Sequence, residues 1–290
     1  MADKSAPGDE YVNPVGNLPT YIGEAEFKPG QAELFAEALR TLEAADVPVL
    51  IAGAFASHAY SGIWRNTKDL DLFLRPGDVH TALRALAEED FETELRDPTW
   101  LAKAWKDPYL IDLIFGNGNR ILQVDDSWID RGRPIEICGV HARLISIEDL
   151  IASKLFVAKR DRFDGADVAH LIRSRGDEID WERILERLPN DRLLLLWHIV
   201  LFLYAYPGHA QLVPRELVER LMGELFRLWD EPPPATAFRG TVIDHVAFAI
   251  DVADWDYEDP RPPEARVVAM VETGAGNEID VGNDAHRGHR

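Results

Sequence analysis

Over the first half of the chain, apolar residues recur at helical and then at strand spacing; after residue 146 helical spacing dominates. In residues 31–46, Leu34, Phe35, Ala38, Leu39 and Leu42 recur at helical intervals and predict an amphipathic helix. Residues 47–52 read as a short buried strand, with Pro48 tolerable near its beginning. A turn at Gly53 leads into the small-residue segment AFASHAYSG, a short helix. Residues 70–74 form the next strand, closed by Arg75-Pro76-Gly77. A helix over 79–89, a strand over 91–95 and a Trp-rich stretch follow. A strong strand over 109–115 is stopped by Gly116-Asn117-Gly118-Asn119. This alternation predicts a sheet covered by helices.

From Ser146 onward the chain reads as helices. Ser146 and Asp149 have capping-box spacing, which predicts a helix over 147–160. A second runs over 164–175 and ends at Gly176, and a third begins at the N-cap Asp180. The greasy run over 193–206 reads as a fourth, buried in the core. Pro214 suits the first turn of a fifth that ends near Trp229. Pro232-Pro233-Pro234 breaks the chain before a last helix over 242–253. The expected organisation is a loose arm over 1–28, a sheet-containing domain over 29–145 and a helical domain over 146–256. Residues 257–290 offer little apolar material to bury and are expected to be disordered.

Composition changes this picture in one respect. The 290 residues hold 51 acidic and 31 basic side chains, a net charge of −20. That balance serves solubility and repels nucleic acid and anionic membranes, so extended nucleic-acid binding is not expected. Cys138 is the only cysteine, which excludes an intrachain disulfide and a thiolate zinc cluster. The run over 193–206 is interrupted by His198 and is shorter than the ~20 residues of a membrane span. The opening MADKSAPGDEYVNP has no apolar stretch of the signal-peptide kind, so a cytoplasmic location and no membrane association are expected.

Candidate chemistry centres on Asp69-Leu70-Asp71. Residues two apart in a strand share a face, so two carboxylates stand side by side while Leu70, Leu72 and Leu74 point into the core. Adjacent carboxylates repel unless a proton or cation intervenes, and their hard oxygens suit Mg²⁺ or Mn²⁺. Asp112 interrupts the apolar run Tyr-Leu-Ile-Asp-Leu-Ile-Phe, an expensive position for an unpaired charge. Each feature alone fits a solvated turn or a strand-end salt bridge; together they predict a metal centre able to bridge two ions. No Walker A, Gly-x-Gly-x-x-Gly or His-Glu-x-x-His sequence is present.

The stretch over 50–74 resembles the signature of the polymerase-β-like nucleotidyltransferase superfamily: a strand, a Gly turn, a short helix, then Asp-hydrophobic-Asp. Asp112 matches the third carboxylate. The resemblance runs on through Val124-Asp125-Asp126-x-Trp128, Glu148-Asp149-Leu150-Ile151-x-x-Lys154 and Arg162-Phe163-Asp164-Gly165-Ala166-Asp167-Val168-x-His170-Leu171. It looks like a bacterial nucleotidyltransferase family related to the abortive-infection toxin type. The resemblance implies an α+β fold, with a mixed-sheet catalytic domain, flanking helices and a helical C-terminal domain. It implies an NTP as co-substrate with Mg²⁺ or Mn²⁺, and Asp69, Asp71 and Asp112 as metal and catalytic residues. Gly53, Ala54, Arg65, Lys68 and Lys154 are the corresponding nucleotide-binding candidates. Lys154 near an apolar stripe can equally snorkel to solvent. Asp164 and Asp167 can order it or simply complement a helix dipole.

Two departures bear on activity. Ala54 stands where the superfamily usually has Ser or Gly, and the loop between Ala54 and Asp69 is slightly long for the motif. Ser57 is a candidate substitute donor. The acceptor is unspecified by the sequence: a small molecule, a protein or tRNA all fit the resemblance. The alternative reading is a non-catalytic nucleotide-binding module of the same fold, or a toxin-type tRNA nucleotidyltransferase.

Overall fold

The computed structural model describes residues 21–22 and 27–263. In chain order the strands are β1 (Tyr21–Ile22), β2 (Leu50–Ile51), β3 (Asp69–Phe73), β4 (Glu92–Asp97), β5 (Leu101–Lys106), β6 (Tyr109–Ile114), β7 (Arg133–Ile137) and β8 (Val140–Leu144). The helices of the sheet-containing part are α1 (Gln31–Ala44), α2 (Gly53–Ser61), α3 (Val79–Glu88) and α4 (Asp126–Arg131). After β8 come α5 (Ile147–Leu155), α6 (Gly165–Arg175), α7 (Trp181–Arg187), α8 (Arg192–Ala205), α9 (Arg215–Asp230), α10 (Gly240–Ile243) and α11 (Ala249–Asp254).

The strands form one mixed sheet in the order β1-β7-β8-β2-β3-β6-β5-β4. β3 runs parallel to β6 and antiparallel to β2, while β4, β5 and β6 form an antiparallel meander. Leu70 and Leu72 of β3 and Ile111 and Leu113 of β6 are fully buried on one face. α1 covers that face, where Phe35 meets the ring of Tyr109 edge-on at 6.2 Å. The alternation that buries these residues leaves Asp69, Asp71, Leu110 and Asp112 on the opposite face. An α+β fold with a mixed sheet, flanking helices and a helical C-terminal region is therefore what the chain adopts.

Several elements differ from the sequence expectation. The Trp-rich stretch is the strand β5; its Lys and Ala residues mask the β pattern. The segment over 126–144 forms α4, β7 and β8, none of which the apolar pattern marked. α5 ends at Leu155, five residues early, because the chain reverses at a tight turn where Lys159 and Arg162 exchange backbone hydrogen bonds. The last predicted helix is split into α10 and α11 by Asp244, whose carboxylate accepts from the backbone N–H groups of Val246, Ala247 and Arg160.

α8 is not wholly buried. Leu195, Leu196, Ile199 and Phe202 enter the core, while Trp197, Val200 and Tyr204 are exposed. Within the stretch expected to be a loose arm, Ile22 is buried on a strand beside β7, and Phe27 stacks on Phe55 at 5.3 Å. At the other end Arg261 is buried and ion-paired with Asp259. Residues 1–20, 23–26 and 264–290 of these two stretches lie outside the described residues. No helix among the described residues is long and apolar enough to cross a membrane.

Candidate active site

The parallel register of β3 and β6 places Asp71 directly opposite Asp112, and Asp69 opposite Leu110. Both Asp71 and Asp112 face a cavity of about 300 Å³, while Asp69 lies at the start of β3, outside its lining. Burial first, and the nearby Asp112 charge second, raise the carboxyl of Asp69 above the usual carboxylate range. The same two causes push Asp71 up to about 6. Carboxylates raised by burial and by one another are a pair short of positive charge, which is the condition a hard divalent cation relieves.

The third carboxylate is differently placed. Lys103 of β5 pairs with Asp112 across the antiparallel register, and its Nζ donates to Asp112 Oδ1 at 2.7 Å. Among the described residues, no group of three or more His, Cys, Asp or Glu side chains converges to hold a metal ion. Asp112 is thus engaged by a cationic side chain of the protein, whereas Asp69 and Asp71, on one face of β3, have no cationic hydrogen-bond partner among the described residues.

Gly53 opens α2 immediately behind β2 and takes φ = 53°. A Cβ at this position would fall inside the Asp71 carboxylate. Gly is required both for the left-handed backbone and for that close approach. α2 is held by Tyr60, whose hydroxyl donates to the Ile145 carbonyl at 2.6 Å, and by Arg175, whose Nε donates to the Tyr60 carbonyl at 3.2 Å. Its first turn thus begins beside the Asp71 carboxylate, at a helix end that favours anions. Gly53→Ala is expected to cost about 1–3 kcal/mol through backbone strain alone, and to displace Asp71 as well. Urea unfolding beside wild type checks the cost; an unchanged midpoint would show that the turn relaxes freely.

Lys154 reaches the same cavity from α5. It is buried, and its Nζ donates to Asp164 Oδ2 at 3.0 Å and to Asp167 Oδ2 at 2.8 Å. Burial lowers the Lys154 pKa, a shift that Asp164 opposes. Burial also works against the Asp164 charge, but Lys154 and then Arg162 outweigh it and hold that carboxyl below the usual range. Asp164 and Asp167 therefore order Lys154, one of the two readings open to them from sequence. Asp167 is also ion-paired to Arg65, which ties the loop before β3 to α6.

The other nucleotide-binding candidates are not brought together. Arg65, Lys68 and Ala54 do not line the cavity. Lys68 is exposed and Ala54 half-buried on α2. Ser57 is buried one turn further along α2 and is also outside the lining. His58 meets the edge of Trp64 at 5.0 Å. Sequence reasoning gave no role to Arg162, which lies on the cavity wall. It also passed over much of the far side of the cavity, where Asn117, Val242 and Arg261 stand beside Trp100.

Two stretches of the resemblance have architectural work. Asp125 caps α4 by accepting from Ser127 N–H and is ion-paired with Arg187. Trp128 is buried under the Arg187 guanidinium, 4.9 Å from its ring centroid. Asp149 is fully buried and receives Arg187 at 2.9 Å and Arg183 at 3.3 Å. Glu148 accepts from the Asp180 N–H at 3.1 Å. These contacts fasten α5, α7 and α4 together behind Lys154.

Among known proteins, no curated sequence matches the chain. The solution structure of the antibiotic-resistance factor ANT(2″)-Ia is similar at 16% identity and a TM-score of 0.37, covering 70% of this chain and 95% of that one. The lincomycin-bound lincosamide antibiotic adenylyltransferase LnuA is similar at 16% identity and a TM-score of 0.36, covering 52% and 96%. The CCA-adding enzyme in complex with ATP is similar at 14% identity and a TM-score of 0.28, covering 85% and 67%. These likenesses are too distant to specify an acceptor. Residues 25–206 match a family described as "Uncharacterised nucleotidyltransferase", and the chain belongs to that family of enzymes.

Proposed function

We propose that the protein transfers a nucleoside monophosphate from an NTP to an acceptor hydroxyl, with release of pyrophosphate. The observation that carries this reading is the register pairing of Asp71 with Asp112, facing a cavity that also receives Lys154 and Arg162. Asp69 and Asp71 would hold Mg²⁺ or Mn²⁺, which neutralises phosphate charge and templates in-line attack when bound. Asp112 faces the acceptor and takes its proton. Lys154, Arg162 and the first N–H groups of α2 balance the charge that develops on the leaving pyrophosphate. The absent hydroxyl at Ala54 leaves backbone N–H groups to that task.

The acidic balance of the chain favours a small or cationic acceptor over RNA. A toxin role, as in the abortive-infection type, would be a use of the same chemistry; growth arrest on expression, relieved by Asp71→Ala, would support it. The direct test is pyrophosphate release from each of the four NTPs with Mg²⁺ or Mn²⁺, in cell extract and with total tRNA. Release by wild type and none by Asp69→Ala/Asp71→Ala is the expected result. Silence in every condition with NTP still bound would overturn it in favour of a non-catalytic nucleotide-binding module.

A further inference from the structure

We infer that Lys103 stands in for a second metal ion, so that the centre holds one divalent cation at Asp69 and Asp71 and neutralises Asp112 with its own ammonium group. The inference rests on the metal-dependent reading above and refines it. β5 and β6 are joined at Asp107-Pro108, and Lys103 and Asp112 lie symmetrically about that connection. Their pairing is therefore fixed by strand register, not by a mobile loop. The contact is charge-assisted, Nζ to Oδ1 at 2.7 Å, and both side chains are largely shielded, at 24% and 18% exposure.

A second cation on Asp112 would have to displace this ammonium and then sit beside it. The first loses a short hydrogen bond to a carboxylate, and the second places like charges together in a half-buried site. At Asp69 and Asp71 the first obstacle is absent, and the nearby cations, Lys103 and Lys68 for Asp69 and Lys154 and Arg162 for Asp71, act through space only. Among the described residues neither carboxylate is hydrogen-bonded to a cationic side chain, and a cation there meets two carboxylates on one strand face. Two carboxylates on one strand face suit a one-cation centre completed by phosphate oxygens.

The test is Mn²⁺ titration in the presence of α,β-methylene-ATP, which cannot be cleaved at the reacting bond, followed by calorimetry and electron paramagnetic resonance. Wild type is expected to take one Mn²⁺ per nucleotide, with the spectrum of an isolated ion. Lys103→Met is expected to gain a second Mn²⁺, bound at least tenfold tighter than any second ion in wild type, with spin coupling between the two. Lys103→Arg keeps the cation and is expected to stay at one. Asp112→Asn, which does not depend on Lys103→Met folding, should leave Mn²⁺ affinity within about twofold of wild type. Two coupled ions in wild type, or loss of Mn²⁺ binding in Asp112→Asn, would overturn the inference. No second ion in a folded Lys103→Met protein would do the same. Absence of any Mn²⁺-dependent nucleotide binding in wild type would instead overturn the metal-dependent reading beneath it.

Discussion

Asp71→Asn is expected to abolish nucleotidyl transfer and at the same time to stabilise the metal-free protein at neutral pH. On the proposed role of Asp71 as a metal ligand, its loss should remove several kcal/mol of transition-state stabilisation, about three orders of magnitude in rate or more. The stability effect has the opposite direction. Burial and Asp112 raise the Asp71 carboxyl from 3.8 to about 6 in the folded chain. A carboxyl whose folded pKa lies above its unfolded one binds its proton more tightly when native. Its favourable contribution is complete below 3.8 and is lost as pH rises through about 6. Above that, the ionised side chain costs at most about 3 kcal/mol, at about 1.4 kcal/mol per pKa unit. Asparagine removes that cost, so thermal unfolding in EDTA should show the variant melting several degrees higher at pH 7.5. The gap should close by pH 4. A variant that melts lower at pH 7.5 would mean that the native charge is already balanced by the protein. Divalent cations require the ionised form, so wild-type metal affinity should fall as pH drops below about 6.

Asp71 and Asp112 are legible because each interrupts an apolar run, and a period of two assigns Asp69 to the face of Asp71. What the sequence withholds is register. That Asp71 sits opposite Asp112 depends on a parallel pairing between strands separated by a helix and two further strands. Lys103 was within reach: treating Asp107-Pro108 as a hairpin turn counts Lys103 out against Asp112. The alternating Lys, Ala and Trp of that strand hid it. Lys154 could be placed on a helix near apolar neighbours, but not between Asp164 and Asp167, because the turn over 159–162 that brings them together has no strong signature. The walls formed by Val242 and Arg261 lie in a polar, proline-rich region whose order depends on side-chain hydrogen bonds. Asn119, for example, donates to the Val242 carbonyl at 2.8 Å. Such contacts are specified by tertiary proximity and leave no period to read.

Lys154→Met should lower stability by about 3–5 kcal/mol, the usual cost of removing one partner from a buried ion pair. The reason lies in what remains. Asp164 and Asp167 are both close to nine-tenths buried, and without Lys154 they face each other with only the more exposed Arg65 and Arg162 for compensation. Two of the three Lys154 N–H donors are committed to these carboxylates, so the side chain reaches the cavity already fixed in position. If that ordering serves phosphate binding, Lys154→Met should weaken affinity for an NTP with Mg²⁺ tenfold or more. Asp167→Asn alone should weaken it less, since Asp164 still holds the ammonium. Urea unfolding and calorimetric NTP titration of the two single variants and the double variant separate the two effects. In the double variant, stability should recover part of the loss because one orphaned carboxylate is gone. Nucleotide affinity should not recover, since the cation remains absent. Full recovery of both would make Lys154 a structural bolt between α5 and α6, and would move the task of meeting the triphosphate to Arg162.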